Sequence, residues 1–212
     1  FWVVWTLDKI FSDDRLNKIL MFKGGTSLSK VFNLIGRFSE DIDLILDWRL
    51  VSNENPLNDQ ESKNKQVRFN EQINENAKEY IQNELLPIIS QILSPLFTCI
   101  IAEDGFSINV RYPNAFDDNY LRPEILLEIE PLASWLPSYS FEISSFAAQK
   151  FPEVFEKTKC SVNTIVAKRT FWEKATILHH EANRPEESPM PTRYSRHYYD
   201  LAMMVQSEVK NE

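Results

Sequence analysis

The sequence predicts an α+β fold, in which a mixed β-sheet with flanking helices is followed by a helical C-terminal lobe. Residues 39–47 alternate between apolar and polar side chains, as in a strand with one buried face. Three more strand-like segments lie between residues 99 and 130, and apolar residues at helical spacing follow residue 140. The 212 residues allow one domain or two small lobes that share a cleft, and we place the boundary between residues 1–135 and 136–212.

The first elements surround a pair of glycines in a chain that has only four. Apolar spacing predicts a helix over residues 3–20, and the Gly24-Gly25 turn is expected to start a short helix over residues 26–32. The strand over residues 39–47 follows. Its apolar face is made of Ile42, Leu44 and Leu46.

A polar, loop-like insertion at residues 49–65 precedes a long helix over residues 71–93, which Pro87 is expected to kink or split. The next strands are predicted over residues 99–102, 106–112 and 124–130, joined by a turn at Asp104-Gly105 and a loop over residues 113–123. From about residue 140 the pattern becomes helical. Two apolar stripes at helical spacing are Phe171, Ala175, Leu178 and Ala182, and then Tyr194, Tyr198, Leu201 and Val205. The chain begins without Met and its last residues continue a helical pattern without a Gly or Pro stop, so both ends are expected to be incomplete.

The amino-acid composition excludes several classes of protein. The chain has 43% apolar and 12% aromatic residues, which excludes disorder, and it lacks the ~20-residue apolar run of a membrane span. Its 31 acidic and 23 basic residues give a net charge of −8, which argues against binding along long polyanions. Cys99 and Cys160 have neither zinc nor CxxC spacing and indicate reduced thiols, so we expect a cytoplasmic protein without a membrane partner.

Two aspartates on the strand at residues 39–47 are candidate metal ligands. Asp41 and Asp43 point to the same face, with Cα atoms about 6.6–7 Å apart, and neighbouring carboxylates repel each other unless a cation or hydrogen bonds hold them. Mg²⁺ commonly binds one or two carboxylates together with substrate phosphates. A solvated strand face is the simpler interpretation of an isolated pair. An EF-hand is excluded because residue 45 is Ile, and a P-loop because its Gly-Lys-Ser/Thr end is absent.

The glycine turn favours the magnesium interpretation. Backbone N–H groups at the start of the following helix would face a phosphate, and Thr26 or Ser27 could add a hydroxyl. A phosphate cradle close to metal carboxylates is typical of nucleotide chemistry. A third carboxylate would come from the strand over residues 124–130, where the pattern does not choose between its acids. These are Glu124, Glu128 and Glu130.

Residues 22–30 (FKGGTSLSK) and 37–44 (RFSEDIDL) resemble the nucleotidyltransferase motif of the AbiEii/AbiGii-type toxin family. This family includes MenT-like toxins and belongs to the DNA polymerase beta-like nucleotidyltransferase superfamily. The resemblance extends in the same order to YLRP at residues 120–123, Leu127-Glu128, KRTFWEK at 168–174 and RYSRHYYDL at 193–201. It implies a nucleotidyltransferase-like catalytic lobe in residues 1–135, followed by the helical lobe.

The resemblance also implies roles for individual residues. The implied nucleotide-binding residues are Gly24, Gly25, Thr26, Ser27, Lys174 and Arg196. The implied magnesium ligands are Asp41, Asp43 and Glu128, and the implied catalytic residues are these three with Lys174 and Asp200. In the superfamily the third carboxylate activates the attacking hydroxyl; many members have Asp where this chain has Glu128, and Glu130 is the substitute.

The activity implied is transfer of a nucleoside monophosphate from an NTP to an acceptor hydroxyl, with two Mg²⁺ ions, by the toxin of a bacterial toxin–antitoxin or abortive-infection system. A cognate antitoxin is then a further partner. The implied acceptor is RNA, with tRNA ends used by some relatives, and eight Lys and Arg against five Asp and Glu in residues 157–200 would favour an RNA end. Two alternatives remain open: transfer of a nucleotide to a protein hydroxyl, and a catalytically inactive nucleotidyltransferase fold that serves as an interaction module.

Overall fold

The computed structural model describes residues 1–39, 41–113, 123–185, 187–189 and 193–211. The strands within them are β1 (Leu20–Lys23), β2 (Ile42–Leu46), β3 (Thr98–Ile101), β4 (Ser107–Arg111), β5 (Glu124–Glu130), β6 (Ser138–Ile143) and β7 (Cys160–Ile165). The helices are α1 (Trp2–Ser12), α2 (Gly24–Lys30), α3 (Lys63–Tyr80), α4 (Leu86–Leu93), α5 (Phe146–Lys150), α6 (Ala167–Ala182) and α7 (Ser195–Val205). None of these described helices is long and apolar enough to cross a membrane.

The strands form one mixed sheet, which confirms the predicted α+β class. Their order is β3-β4-β5-β2-β1-β7-β6. Strand β2 pairs antiparallel with β1 and parallel with β5, and β1 pairs parallel with β7. The glycine turn, the Asp41–Asp43 segment and the strand of Glu128 therefore meet at the centre of the sheet.

The two faces of the sheet are covered by different helices. The main core contains the apolar face of β2 together with buried residues of α1, α3 and α4. A smaller cluster joins Leu28 of α2, Ala167 of α6 and Met204 of α7. Because side chains alternate along a strand, Asp43 points away from the main core, on the side opposite Ile42 and Leu44.

The predicted helix over residues 3–20 is wrong beyond Ser12. Asp13 ends α1 in an extended conformation, and its carboxylate accepts hydrogen bonds from the backbone N–H groups of Arg15 and Leu16. Residues Leu20–Lys23 then form β1, a central strand that is buried along its whole length. A buried segment this short has no periodicity that distinguishes a strand from a helix.

The long helix predicted over residues 71–93 begins earlier than expected, at Lys63, where the Ser62 side chain accepts a hydrogen bond from the Lys65 backbone N–H. Its first turns are polar and exposed, so apolar spacing did not reveal them. The predicted interruption at Pro87 is confirmed: residues Ile81–Leu85 form a π-helical turn, and α4 begins at Leu86. Proline lacks the N–H that a regular helix needs, which accounts for the irregular turn before it.

The expectation that the chain turns helical from about residue 140 is wrong for β6 and β7, which extend the sheet beyond the predicted lobe boundary. The short helix α5 lies between these strands, and the longer helices begin with α6. The division at residues 135/136 itself stays a prediction. Half of β6 is exposed because it is an edge strand, and this hides the alternation that marks a strand.

Candidate active site

Strand register brings two of the predicted carboxylates together. Asp43 of β2 is the direct neighbour of Glu128 of β5 in the parallel pair, where adjacent strands lie about 4.8 Å apart. The two half-buried side chains reach hydrogen-bonding contact with each other. Asp41 lies two residues earlier and lines the same cleft. The structure therefore places Asp41, Asp43 and Glu128 along one cleft, with Asp43 and Glu128 in contact with each other.

The carboxylate pair is electrostatically unfavourable as it stands. Burial raises the pKa of Asp43 well above its ordinary value, and the negative charge and hydrogen bond of Glu128 raise it further. A shared proton or a bound cation removes this repulsion, and paired oxygen ligands suit Mg²⁺. Within the described part of the chain no group of three or more His, Cys, Asp or Glu is already arranged as a metal site. The carboxylates of Asp43 and Glu128 are the kind of oxygen ligand that Mg²⁺ takes, and magnesium binding at this pair stays a prediction.

We call the surrounding cavity the carboxylate cleft. Its volume is about 330 Å³. The acids that line it are Asp41, Asp43, Glu128, Glu130 and Glu173, and the bases are Lys23, Arg37, Lys174, Arg193 and Arg196. The remaining lining residues are Gly24, Gly25, Ser39, Thr170, Ile177 and His197. The predicted glycines, carboxylates, Lys174 and Arg196 all face this one space.

The two glycines allow the backbone to approach the acids. Gly24 has a φ of +77°, in the left-handed region, and a Cβ at this position would overlap the Asp43 carboxylate. At Gly25 a Cβ would lie 2.7 Å from Nη2 of Arg37. A side chain is therefore excluded at Gly24, whereas at Gly25 it would require the Arg37 guanidinium to move. Helix α2 begins beside Asp43, and both glycines line the cleft.

Gly24→Ala is expected to reduce activity by about 100-fold or more, because it displaces Asp43 and a catalytic group misplaced by about 1 Å can cost that much. The left-handed backbone adds a destabilisation of about 1–2 kcal/mol. Gly36→Ala is the matched control, since its Cβ would meet only the Tyr199 hydroxyl at an ordinary 3.6 Å. Steady-state rates and melting temperatures of the two variants measure both effects. Equal rates and melting temperatures for the two variants would show that the close approach of Gly24 to Asp43 affects neither activity nor stability.

The Thr26 and Ser27 hydroxyls have structural partners in this state. Both side chains are buried. Thr26 Oγ1 donates to the Asp41 carbonyl oxygen, and Ser27 Oγ donates to the Gly24 carbonyl oxygen at 2.8 Å. These bonds fix the turn against the strand. Direct phosphate binding by either hydroxyl stays a prediction, whereas their effect on the position of Gly24 and Asp41 is visible.

The carboxylate of Glu130 has different partners from that of Glu128. It forms an ion pair with Lys23, whose Nζ also lies 3.8 Å from Glu173. Burial alone would lower the pKa of Lys23, but the negative charges of Glu130 and Glu173 outweigh it, so the pKa is raised and the lysine stays charged. Of the two acids left open by the sequence, Glu128 is the neighbour of Asp43 and Glu130 neutralises Lys23.

The buried carboxylate of Asp200 holds two basic residues of the carboxylate cleft in place. Asp200 of α7 is fully buried and accepts hydrogen bonds from Arg37 Nε and Nη2, both at 2.7 Å. Lys174 Nζ of α6 lies 2.9 Å from the same carboxylate. Burial alone would raise the pKa of Asp200, but the hydrogen bonds from Arg37 and the charge of Lys174 hold it below its ordinary value. Asp200 thus holds two cations of the cleft, Arg37 and Lys174, in place.

Two arginines at the start of α7 complete the basic side of the cleft. Neither Arg193 nor Arg196 forms an ion pair with a described carboxylate, so both guanidinium groups can meet an anionic ligand. His197 lies beside them, and its pKa is lowered by burial and by the charge of Lys174, which leaves the imidazole neutral near pH 7.

Three site residues were missed because their role depends on distant partners. The sequence gives Arg37 no role within its motif, although its side chain binds Asp200, 163 residues away. Lys23 and Glu173 are likewise joined only in the folded chain. A charged residue directly before the glycine pair was the one available signal for Lys23. The YLRP motif at residues 120–123 lies, except for Pro123, outside the described residues.

Comparison with known proteins identifies the family. Residues 5–212 match the family described as Nucleotidyl transferase AbiEii toxin, Type IV TA system. Among solved structures, MenT4, a nucleotidyltransferase toxin from Mycobacterium tuberculosis H37Rv, is similar at 18% identity and a TM-score of 0.44. That alignment covers 86% of this chain and 57% of MenT4, so the chain corresponds to little more than half of that toxin. No curated protein matches. From the family match over nearly its whole length, the chain belongs to the AbiEii nucleotidyltransferase toxin family.

Proposed function

We propose that this chain carries a magnesium-dependent nucleotidyltransferase site that moves a nucleoside monophosphate from an NTP to an acceptor hydroxyl. The observation that carries the proposal is the Asp43–Glu128 pair beside the Gly24-Gly25 turn. Asp41, Asp43 and Glu128 are the proposed ligands of two Mg²⁺ ions. Bound Mg²⁺ would neutralise these acids and the charge that develops on the leaving pyrophosphate.

The chain's own residues suit the donor nucleotide. Backbone N–H groups at the start of α2 and the guanidinium groups of Arg193 and Arg196 face the cleft and would hold the triphosphate. Lys174 would meet the same phosphates while Asp200 keeps it in place. In the reaction, the acceptor oxygen bonds to the α-phosphorus, and the bond from that phosphorus to the β-phosphate oxygen breaks. Pyrophosphate leaves, and Glu128 takes the hydroxyl proton.

We propose RNA as the acceptor, a tRNA end being one form of it, and a toxin–antitoxin system with a cognate antitoxin as the setting. Family membership supports the toxin setting. The basic excess of residues 157–200 and the arginines at the cleft support an acceptor that carries phosphates.

The test is incubation of the protein with Mg²⁺, each NTP labelled at the α-phosphate, and total tRNA or cell lysate. We expect label in a product that ribonuclease destroys and protease does not. Omission of Mg²⁺ and the Asp41→Ala/Asp43→Ala variant are both expected to abolish labelling. Label that only protease removes would replace RNA by a protein acceptor, and no label in any combination would defeat the proposal.

A further inference from the structure

A second and larger cavity adjoins the carboxylate cleft, and we call it the Trp172 cavity. Its volume is about 730 Å³, within the usual range for sites that bind small organic ligands. It shares one wall with the cleft. The residues common to both linings are Lys23, Glu128, Glu130, Glu173 and Ile177.

The carboxylate of Glu128 lies between two possible binding positions, one in the carboxylate cleft and one in the Trp172 cavity. Asp43 and the Gly24-Gly25 turn line only the cleft, whereas Glu128 lines both spaces. A ligand in the Trp172 cavity therefore meets Glu128 without displacing a nucleotide from the glycine turn. That is the position required of the acceptor, whose hydroxyl must reach the group that takes its proton.

The charges of the Trp172 cavity favour a neutral group over a phosphate. Its cations are Lys23 and Arg169, and both are paired with carboxylates: Lys23 with Glu130 and Glu173, and Arg169 with Glu173 at 3.5 Å. A phosphate entering this space would find no unpaired cation among the described lining residues and would be repelled by the acids. A base and ribose carry no such charge.

Aromatic side chains supply the complementary surface. Trp172 of α6 lines the cavity with 58% of its surface exposed, and Phe106 lines the same cavity from the turn before β4. Flat aromatic rings bind unpaired nucleic-acid bases by stacking, largely without regard to sequence. Apolar residues also line the cavity, among them Leu132 and Ala133.

We propose that the Trp172 cavity binds the terminal nucleoside of an RNA acceptor, with the base stacked on Trp172 and a ribose hydroxyl directed at Glu128. This rests on the proposed function for its role in transfer, but binding itself can be measured without catalysis. The phosphates of the RNA stay outside the cavity. Trp172 is then a residue that selects an RNA end over a protein hydroxyl.

The test uses a fluorescein-labelled RNA octamer of random sequence, titrated with the protein in the absence of NTP and Mg²⁺, with fluorescence anisotropy as the readout. Trp172→Ala is expected to weaken binding by about 10-fold or more, in line with loss of one stacked base. Trp172→Phe should retain most of the affinity. Tyr139→Ala removes an equally exposed aromatic residue, 64% exposed on β6 and outside both cavities, and should bind like wild type.

Transfer assays on the same variants separate the two proposals. We expect Trp172→Ala to raise the KM for RNA by a similar factor while the KM for NTP stays unchanged. Binding of the octamer by Trp172→Ala within about twofold of wild type would overturn the cavity assignment, as would transfer to protein alone, and either result leaves the nucleotidyltransferase site standing. Trp172-dependent binding without any transfer would support the cavity and count against the proposed reaction.

Discussion

Asp43→Asn is expected to lower the rate of nucleotidyl transfer by about 10³-fold or more and, at the same time, to stabilise the metal-free protein. Loss of a metal ligand removes several kcal/mol of transition-state stabilisation, and each 1.36 kcal/mol is tenfold in rate. The same change removes the repulsion between Asp43 and Glu128, so the melting temperature without Mg²⁺ should rise by about 2–4 °C for each kcal/mol relieved.

The transfer rate and the melting temperature together distinguish a metal ligand at Asp43 from an aspartate with only a structural role. Added Mg²⁺ should raise the melting temperature of wild type and have much less effect on Asp43→Asn. Asp59→Asn, an identical change of charge at an exposed loop position, is the control and should alter neither rate nor magnesium response. A variant with normal activity, or one whose melting temperature falls as that of a buried structural residue would, contradicts the role assigned to Asp43.

Asp200→Asn is expected to destabilise the fold by about 3–5 kcal/mol, since it leaves the cations of Arg37 and Lys174 without their shared buried carboxylate. For a chain of this length the melting temperature should fall by about 6–20 °C. Transfer should also fall in conditions where the variant is folded, because Lys174 loses the partner that holds it in the cleft. Glu142→Gln, which breaks an exposed pair with Lys159 at 3.1 Å, should cost less than about 1 kcal/mol.

The direction of the Asp200 pKa shift determines how the stability difference between wild type and Asp200→Asn depends on pH. The pKa of Asp200 is lowered in the folded protein, so its stabilisation is complete above the ordinary carboxyl pKa of about 3.9. We expect the stability gap between wild type and Asp200→Asn to be constant from neutral pH down to about pH 5. It should narrow only as the pH falls through the lowered pKa. A gap that closed between pH 7 and 5 would show that Asp200 is not held ionised by Arg37 and Lys174.

The sequence predicted the acids of the site better than their partners. The strand predicted over residues 39–47 is shorter in the structure, so Asp41 precedes β2, although it lines the same cleft as Asp43. The alternation of β5 places Glu128 and Glu130 on one face, as predicted. The choice between the two glutamates required the register of β2 against β5, which joins residues 85 positions apart. Pairing over such a distance leaves no trace in local periodicity, so only the fold shows that Glu128 is the neighbour of Asp43; its role as the third carboxylate stays a prediction.

The helices that border the cleft show why apolar spacing misplaced their buried faces. The predicted stripe on α6 ends at Ala182, which is exposed, whereas Lys174 is buried. On α7, Tyr198 and Val205 are about half exposed, whereas Asp200 is buried with Met204. The buried charge of Asp200 is compensated here because its carboxylate pairs with both Lys174 and Arg37. Local rules that assign polar residues to the surface fail where a functional site needs them inside.

The most direct test of the central claim follows the two ends of the triphosphate separately. The protein is incubated with Mg²⁺, RNA and one NTP, labelled either at the α-phosphate or at the γ-phosphate. Nucleotidyl transfer at the cleft of Asp43 and Glu128 predicts that the α-label appears on RNA and that the γ-label leaves in pyrophosphate, with both signals lost in Asp43→Asn. Appearance of the γ-label on the acceptor, or α-labelling that persists in Asp43→Asn, would contradict the account.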